Sequence, residues 1–203
     1  MKTSAEILDR LKAGNQRFVG ELSEHRELSS EQRRNSLVEG QMPFAVILGC
    51  SDSRVPAEIV FDQGLGDLFV IRVAGNIVAP SQVGSIEFAV EAYGTPLVVV
   101  LGHTHCGAIQ ATLDALKNPQ TQPSYNLMSI VSRIRPSIET LVETDLKHNE
   151  EELVRFAVRA NIRASVSQIQ YSSPILEKYI QSGNLKVVGA QYSLETGIVD
   201  FLD

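Results

Sequence analysis

The chain has 203 residues, 43% of them hydrophobic and 21% charged, the composition of an ordinary globular domain large enough to hold a core of its own. A formal charge of −6 argues against a nucleic-acid-binding face and offers no attraction to an anionic membrane. No apolar run approaches the length of a membrane span, and the acid-containing start MKTSAEILDRLKAGNQRF lacks the apolar stretch of a signal peptide, so the chain reads as cytoplasmic.

Taken in order, Thr3 or Ser4 can cap a first helix with Ile7, Leu11 and Phe18 on one face, ended by Gly20. Residues 21–40 are polar, with Ser29 or Ser30 opening a short second helix to about Gly40. Phe44 to Leu48 reads as the first buried strand and Leu68 to Val73 as the second. Between them Pro56 opens a short helix through Phe61, and Gly64 to Asp67 form a turn. Ser81 caps a helix carrying Val83, Ile86, Val90 and Tyr93 on one stripe, closed by Gly94. Leu97 to Leu101, unbroken Leu and Val, is a third strand buried on both faces of a parallel sheet. A helix after Cys106 runs to about Lys117, and residues 118–124 form a loop. A long helix covers Glu150 to Tyr171, with Val154, Val158, Ile162 and Val166 spaced by four, and Ser173-Pro174 restarts a shorter one to about Gln181. Lys186 to Ala190 is a fourth strand. Tyr192 to Leu202, broken at Glu195-Thr196-Gly197, returns as an antiparallel edge. Strand and helix alternate, so the expected class is α/β: a mainly parallel central sheet with flanking helices and an antiparallel C-terminal edge strand. No repeat or linker divides the chain, and residues 1–203 read as one domain.

Two polar clusters stand out against this frame. Cys50-Ser51-Asp52-Ser53-Arg54 follows the first apolar run and His103-Thr104-His105-Cys106 the third, each set off by a glycine, Gly49 or Gly102. On one sheet, both leave carboxyl ends of strands, where α/β folds place their ligand crevice. Cys50, His103 and Cys106 make three of the four ligands of a tetrahedral zinc and leave the fourth position open, as catalytic sites do. His103 and Cys106 lie three apart at a helix start, so both can face one metal, and the helix N-terminus favours a thiolate at Cys106. Cys50 alone would read as a small buried hydrophobe. A disulfide between the two cysteines is the other use of the pair, disfavoured by a reducing cytosol and by the neighbouring Asp, Arg and His. Asp52 is close enough to reach the same metal, and Arg54 can hold its carboxylate in a bidentate fork. Held away, Asp52 leaves the fourth position to water, whose pKa zinc lowers to about 7. Released, it becomes the fourth ligand and closes the site.

Cys-x-Asp-x-Arg followed by His-x-x-Cys, with Arg72-Val73-Ala74-Gly75-Asn76 between them, strongly resembles the β-class carbonic anhydrases. The likeness runs from Gly14-Asn15-Gln16-Arg17-Phe18 through the terminal hairpin. It implies reversible hydration of CO2 to bicarbonate by zinc-bound hydroxide, with one Zn2+ per chain on Cys50, His103 and Cys106. Asp52 and Arg54 are then the gating dyad, with Asp52 on the metal only in the closed state. By the same resemblance Gln41, Phe69, Ala74 and Phe88 contact substrate, Phe88 standing where some members carry Tyr. The resemblance further implies a homodimer, or a tetramer built as a dimer of dimers, with active sites at subunit interfaces. The N-terminal helix can pack on its own domain or on a partner subunit, and the arm of about residues 1–40 is expected on a partner. Some members bind inhibitory bicarbonate through a Trp, an Arg and a Tyr. Arg72 and Tyr192 match the latter two, but Ile47 stands at the Trp position and the chain has no Trp.

His105, beside Cys106, should point away from the metal and reads as a surface residue or one behind the ligands. His25 and His148 lie in charged surroundings and read as solvated. Glu150 to Glu152 suit a helix N-terminus. Three other functions stay open on the residues alone. A thiol-redox enzyme would need no zinc, a zinc-binding sensor would lack hydration activity, and a CS2 or COS hydrolase would use the same site.

Overall fold

A computed structural model of the chain describes residues 3–118, 120 and 123–202, apart from the side chains of His25 and Arg26. Residues 119, 121 and 122 of the expected 118–124 loop, and the side chain of the expected solvated His25, lie outside it.

The runs richest in Val, Ile and Leu form one five-stranded sheet of β1 (Ala45–Gly49), β2 (Leu68–Arg72), β3 (Leu97–His103), β4 (Lys186–Tyr192) and β5 (Val199–Leu202), in the order β2-β1-β3-β4-β5. β1, β2, β3 and β4 pair in parallel, and β5 returns antiparallel on β4, as expected. Around the sheet lie α1 (Ser4–Val19), α2 (His25–Leu28), α3 (Glu31–Ser36), α4 (Ala57–Val60), α5 (Pro80–Tyr93), α6 (Gly107–Lys117), α7 (Tyr125–Ile138), α8 (Glu150–Tyr171) and α9 (Pro174–Gln181).

Alternation along β1 and β3 divides the core in two. Val46, Leu48, Val98 and Val100 face Ile86, Ile134, Leu153 and Ile162 of the helices on one side. Ala45, Ile47, Leu97 and Val99 face Ile7 and Leu11 of α1 and Val60 and Phe61 on the other. Thus α1 lies on its own sheet. Thr3 caps it: the Glu6 N–H donates to Thr3 Oγ1 at 3.3 Å and the Thr3 N–H to Glu6 Oε2 at 2.7 Å, a reciprocal capping box.

Several boundaries differ from the pattern reading. Gly49 is the last residue of β1, whereas Gly102 lies inside β3, which runs on to His103, and β4 continues to Tyr192. A Cβ on Gly102 would stand 2.6 Å from Cγ1 and Cδ1 of Ile162, and one on Gly189 2.7 Å from its Cγ2. The two glycines therefore form the groove into which α8 presses Ile162. α3 stops at Ser36 rather than near Gly40, since none of its residues is buried to hold a longer helix. α5 begins at Pro80, so Ser81 is inside the first turn and no side chain caps it. α7 was not expected; it forms with Val131, Ile134 and Ile138 buried at helical spacing and with Pro136 in its last turn.

Because β1 sits between β2 and β3, the chain leaves its carboxyl end toward one neighbour and later returns on the other. This is a topological switch point, and it leaves a crevice at the strand ends. Gly49 is in register with Leu101, so Cys50 and His103 emerge side by side.

Candidate active site

Cys50 follows β1, His103 is the last residue of β3 and Cys106 precedes the first turn of α6. All three are buried, and their ligand atoms lie within 4.8 Å of one another. The His103 ring Nδ1 sits 2.8 Å from the Thr104 carbonyl oxygen, which can only accept, so Nδ1 carries the proton and Nε2 the lone pair. That Nε2 is fully buried and has no hydrogen-bond partner among the described residues. An orphaned imidazole nitrogen facing two buried sulfurs suits a soft divalent cation such as zinc.

The thiols are unequal. Cys50 is pulled well below its ordinary value, first by the Cys106 thiol, against burial, and then by His103 and by the Gly75 N–H, 3.3 Å from its sulfur. Cys106 is pushed up, because it donates to Cys50 and is buried, although N–H groups of Ile109 and Ala108 at the start of α6 oppose this. A dication held between the two sulfurs would allow both to be thiolates.

Gly75 lies in a short 3-10 turn, Ala74–Asn76, with φ +68, a left-handed conformation that favours glycine. A Cβ there would also meet Ile134 Cδ1 at 2.7 Å. From α8, buried Asn161 donates to the Gly75 carbonyl at 2.9 Å and Ser165 to that of Asn76 at 3.2 Å. Helix α8 thus aims the Gly75 N–H at Cys50.

Asp52 and Arg54 form the expected fork. Arg54 Nε donates to Asp52 Oδ1 at 2.9 Å and Nη2 to Oδ2 at 2.8 Å, and the Arg54 backbone N–H adds a third bond to Oδ1 at 3.0 Å. The Arg54 bonds hold the carboxyl far below the usual carboxylate range despite burial. Asp52 Oδ2 still approaches His103 Nε2 to 3.9 Å. Arg72 fixes the loop from behind, donating from Nε to the Cys50 carbonyl at 3.0 Å and from Nη2 to that of Asp52 at 2.6 Å.

A family model described as carbonic anhydrase matches residues 45–199. Carbonic anhydrase 2 of Mycobacterium tuberculosis is 42% identical over 187 residues, covering 92% of this chain and 87% of its own. A carbonic anhydrase of Mycolicibacterium smegmatis is 43% identical over 190 residues, covering 94% and 89%. Among solved structures, a tetrameric β-carbonic anhydrase of Sordaria macrospora superposes with a TM-score of 0.73 at 26% identity, covering 83% of this chain and 85% of that one. The chain belongs to the β-carbonic anhydrase family.

As a carbonic anhydrase it takes zinc as cofactor, and Cys50, His103 and Cys106 are the donor set that fits the ion. The residues expected to contact substrate are placed in two groups. Gln41, Phe69 and Phe88 gather with Tyr93 at the β2 edge. Gln41 Nε2 donates to the Tyr93 hydroxyl at 3.0 Å, and the Phe69 ring lies 6.2 Å from both Phe88 and Tyr93. None of the three shares a hydrogen bond or ring contact with the ligand triad among the described residues. Ala74 instead adjoins Gly75 beside Cys50. His105 points outward, as expected, and its ring meets Glu195 Oε1 at 2.5 Å. His148 is exposed. Tyr192 is buried with its ring centroid 6.4 Å from that of Phe18, and Ile47 is core.

The pattern reading missed Asn161, Ser165, Thr104 and Glu195. For the first two a signal exists: polar residues at i and i+4 interrupt the buried stripe of α8. For the last two none does, because the contact joins segments about ninety residues apart.

Proposed function

We propose that this carbonic anhydrase catalyses the reversible hydration of CO2 to bicarbonate and a proton at a zinc ion held by Cys50, His103 and Cys106. The observation that carries the reading is the buried, unpartnered His103 Nε2 facing two buried cysteines. Bound there, zinc supplies Lewis-acid activation of water.

The chain supplies the rest. The Thr104 carbonyl holds the proton on His103 Nδ1 and so presents Nε2 as a donor. The Gly75 N–H favours the Cys50 thiolate. Asp52, kept ionised by Arg54, is placed to accept a hydrogen bond or proton on Oδ2 beside His103 Nε2. We assign this pair the gating role: with the fork closed Asp52 stays off the fourth position, and with it broken Asp52 is free to become the fourth ligand.

Gln41, Phe69, Ala74 and Phe88 are assigned to substrate contacts on the family resemblance, and CO2 suits an apolar wall such as the Phe69–Phe88 pair. We assign the protein a homo-oligomeric state, a dimer or a dimer of dimers, in which the arm of residues 1–40 meets a partner through the surface that α1 does not bury on its own sheet. Supporting this, Leu22, Val38 and Met42 expose 71%, 80% and 84% of their surface along and beside the arm. β2 is also an edge strand with half-exposed Phe88 next to it. A cytoplasmic location accords with two free cysteines.

The test is stopped-flow CO2 hydration on protein whose zinc content is assayed in the same preparation. Rapid hydration is expected, with most turnover lost in Asp52→Asn at unchanged zinc stoichiometry. No hydration at any pH with zinc loaded overturns the reaction, and full activity in Asp52→Asn removes Asp52 from the mechanism.

A further inference from the structure

The stretch between the two metal ligands of β3 and α6 does more than connect them. The Thr104 carbonyl orients His103, and the His105 carbonyl accepts a bond from Arg54 Nη2 at 3.3 Å. One peptide group thus touches a zinc ligand and the next touches the dyad. His105 is held at φ +54, a left-handed conformation that is unfavourable for a residue with a Cβ unless its surroundings enforce it.

A single carboxylate holds both residues. Thr104 Oγ1 donates to Glu195 Oε2 at 2.9 Å, and the His105 ring Nε2 meets Oε1 at 2.5 Å. The turn that carries Glu195 is itself fixed. Ser193 Oγ donates to Glu195 Oε2 at 2.9 Å, and the Leu194 N–H donates to Thr104 Oγ1 at 3.0 Å. Buried Asn15 of α1 donates to the Gly197 carbonyl at 2.9 Å and accepts the Val199 N–H at 2.9 Å. An isolated exposed ion pair is worth little. Here the carboxylate stands on an anchored turn and binds two consecutive residues at once, with a separate oxygen for each.

We propose that Glu195 is a positioning residue of the active site, holding Thr104 and His105 so that their carbonyls orient the His103 imidazole and the Arg54 guanidinium. The carboxyl is available for this at neutral pH. Its own backbone N–H, then the Ser193 and Thr104 hydroxyls, lower it to about 2. The inference rests on the zinc and dyad assignments made above.

The test compares Glu195→Ala and Glu195→Gln holoenzymes with the wild type for kcat and KM of CO2 hydration and for the rate of zinc loss to a chelator. Groups that orient metal ligands cost about 10- to 100-fold when removed, and an exposed one acting through two carbonyls belongs at the low end. Glu195→Ala should lower kcat about 10-fold with KM unchanged and speed zinc loss by a similar factor. Glu195→Gln, which keeps one oxygen acceptor, should lose less. In a Thr104→Val/His105→Ala background, Glu195→Ala should change either quantity by less than about 2-fold. Wild-type kcat and zinc loss in Glu195→Ala, or an effect undiminished in that background, overturns the proposal. Arg54→Ala is measured alongside. Full activity there overturns the dyad assignment and this proposal with it, whereas loss there beside a wild-type Glu195→Ala overturns this proposal alone.

Discussion

Gly102→Ala tests how closely the metal loop depends on the packing beneath it. A methyl on residue 102 would lie 2.6 Å from both Cγ1 and Cδ1 of Ile162, where carbon atoms rest at about 3.5–4.0 Å, so about 1 Å must be found. Ile162 cannot swing aside, because a β-branched residue on a helix has essentially one χ1 rotamer and Cγ1 moves only with χ1. β3 cannot retreat either, being paired on both edges by β1 and β4. Helix α8 must therefore lift, at an overpacking cost of about 1–3 kcal/mol. Lifting α8 also withdraws Asn161 from the Gly75 carbonyl, and His103 is the next residue along β3. Urea unfolding should show that loss, and zinc should leave the holoenzyme faster. Ile162→Ala alone opens a cavity, at about 2–5 kcal/mol. Combined with Gly102→Ala, which fills part of it, the loss should fall short of additive by about 1 kcal/mol or more. A Gly102→Ala variant within about 0.5 kcal/mol of wild type, or strict additivity in the double variant, would refute the reasoning.

Two further outcomes are expected. Cys106→Ser replaces a thiolate ligand with a hydroxyl that stays protonated, so zinc content after chelator dialysis should fall far below that of the wild type; unchanged stoichiometry refutes the assignment. Burial of Asp62 would raise its carboxyl, but the Ser23 hydroxyl, Arg17 and the Glu24 N–H outweigh this and hold it below the usual range. A carboxyl depressed in the folded state stabilises above its unfolded pKa of about 3.9 and loses that contribution as pH falls through the folded value. Asp62→Asn should therefore unfold at lower urea than wild type at pH 7, with the gap narrowing near about pH 3; a gap constant with pH contradicts the assignment.

What could be read in the sequence was what is local. Phe44 to Leu48 and Leu97 to Leu101 announce themselves because strands buried on both faces are unbroken apolar runs. The ligands follow them directly, and the Asp52–Arg54 fork spans only two residues. Gly102 misled, since a glycine after an apolar run looks like an end. At Gly102 it is instead the space needed by a side chain sixty residues away. Asn161 and Glu195 have no local pattern that names their partners. Their roles exist only once α8 crosses the Ala74–Asn76 turn and the β4–β5 hairpin folds back over Thr104.

The distribution of charge explains why these distant contacts matter. A site of two thiolates and a carboxylate in a buried crevice is costly unless each negative group is paired or hydrogen-bonded. Zinc and Arg54 together carry the positive charge that cancels Cys50, Cys106 and Asp52. Arg54 can do so only from a fixed place, because a fork that loosens leaves the Asp52 carboxylate without its paired charge in the crevice. The backbone supplies that fixity. The Gly75 N–H faces one sulfur, N–H groups of α6 face the other, and the Thr104 and His105 carbonyls face the imidazole and the guanidinium. The Gly75, Thr104 and His105 segments are each held by a side chain outside the site. The chemistry therefore rests on three elements that never reach the metal, α8, Arg72 of β2 and the β4–β5 turn, and substitutions there should be felt at zinc before they are felt in the fold.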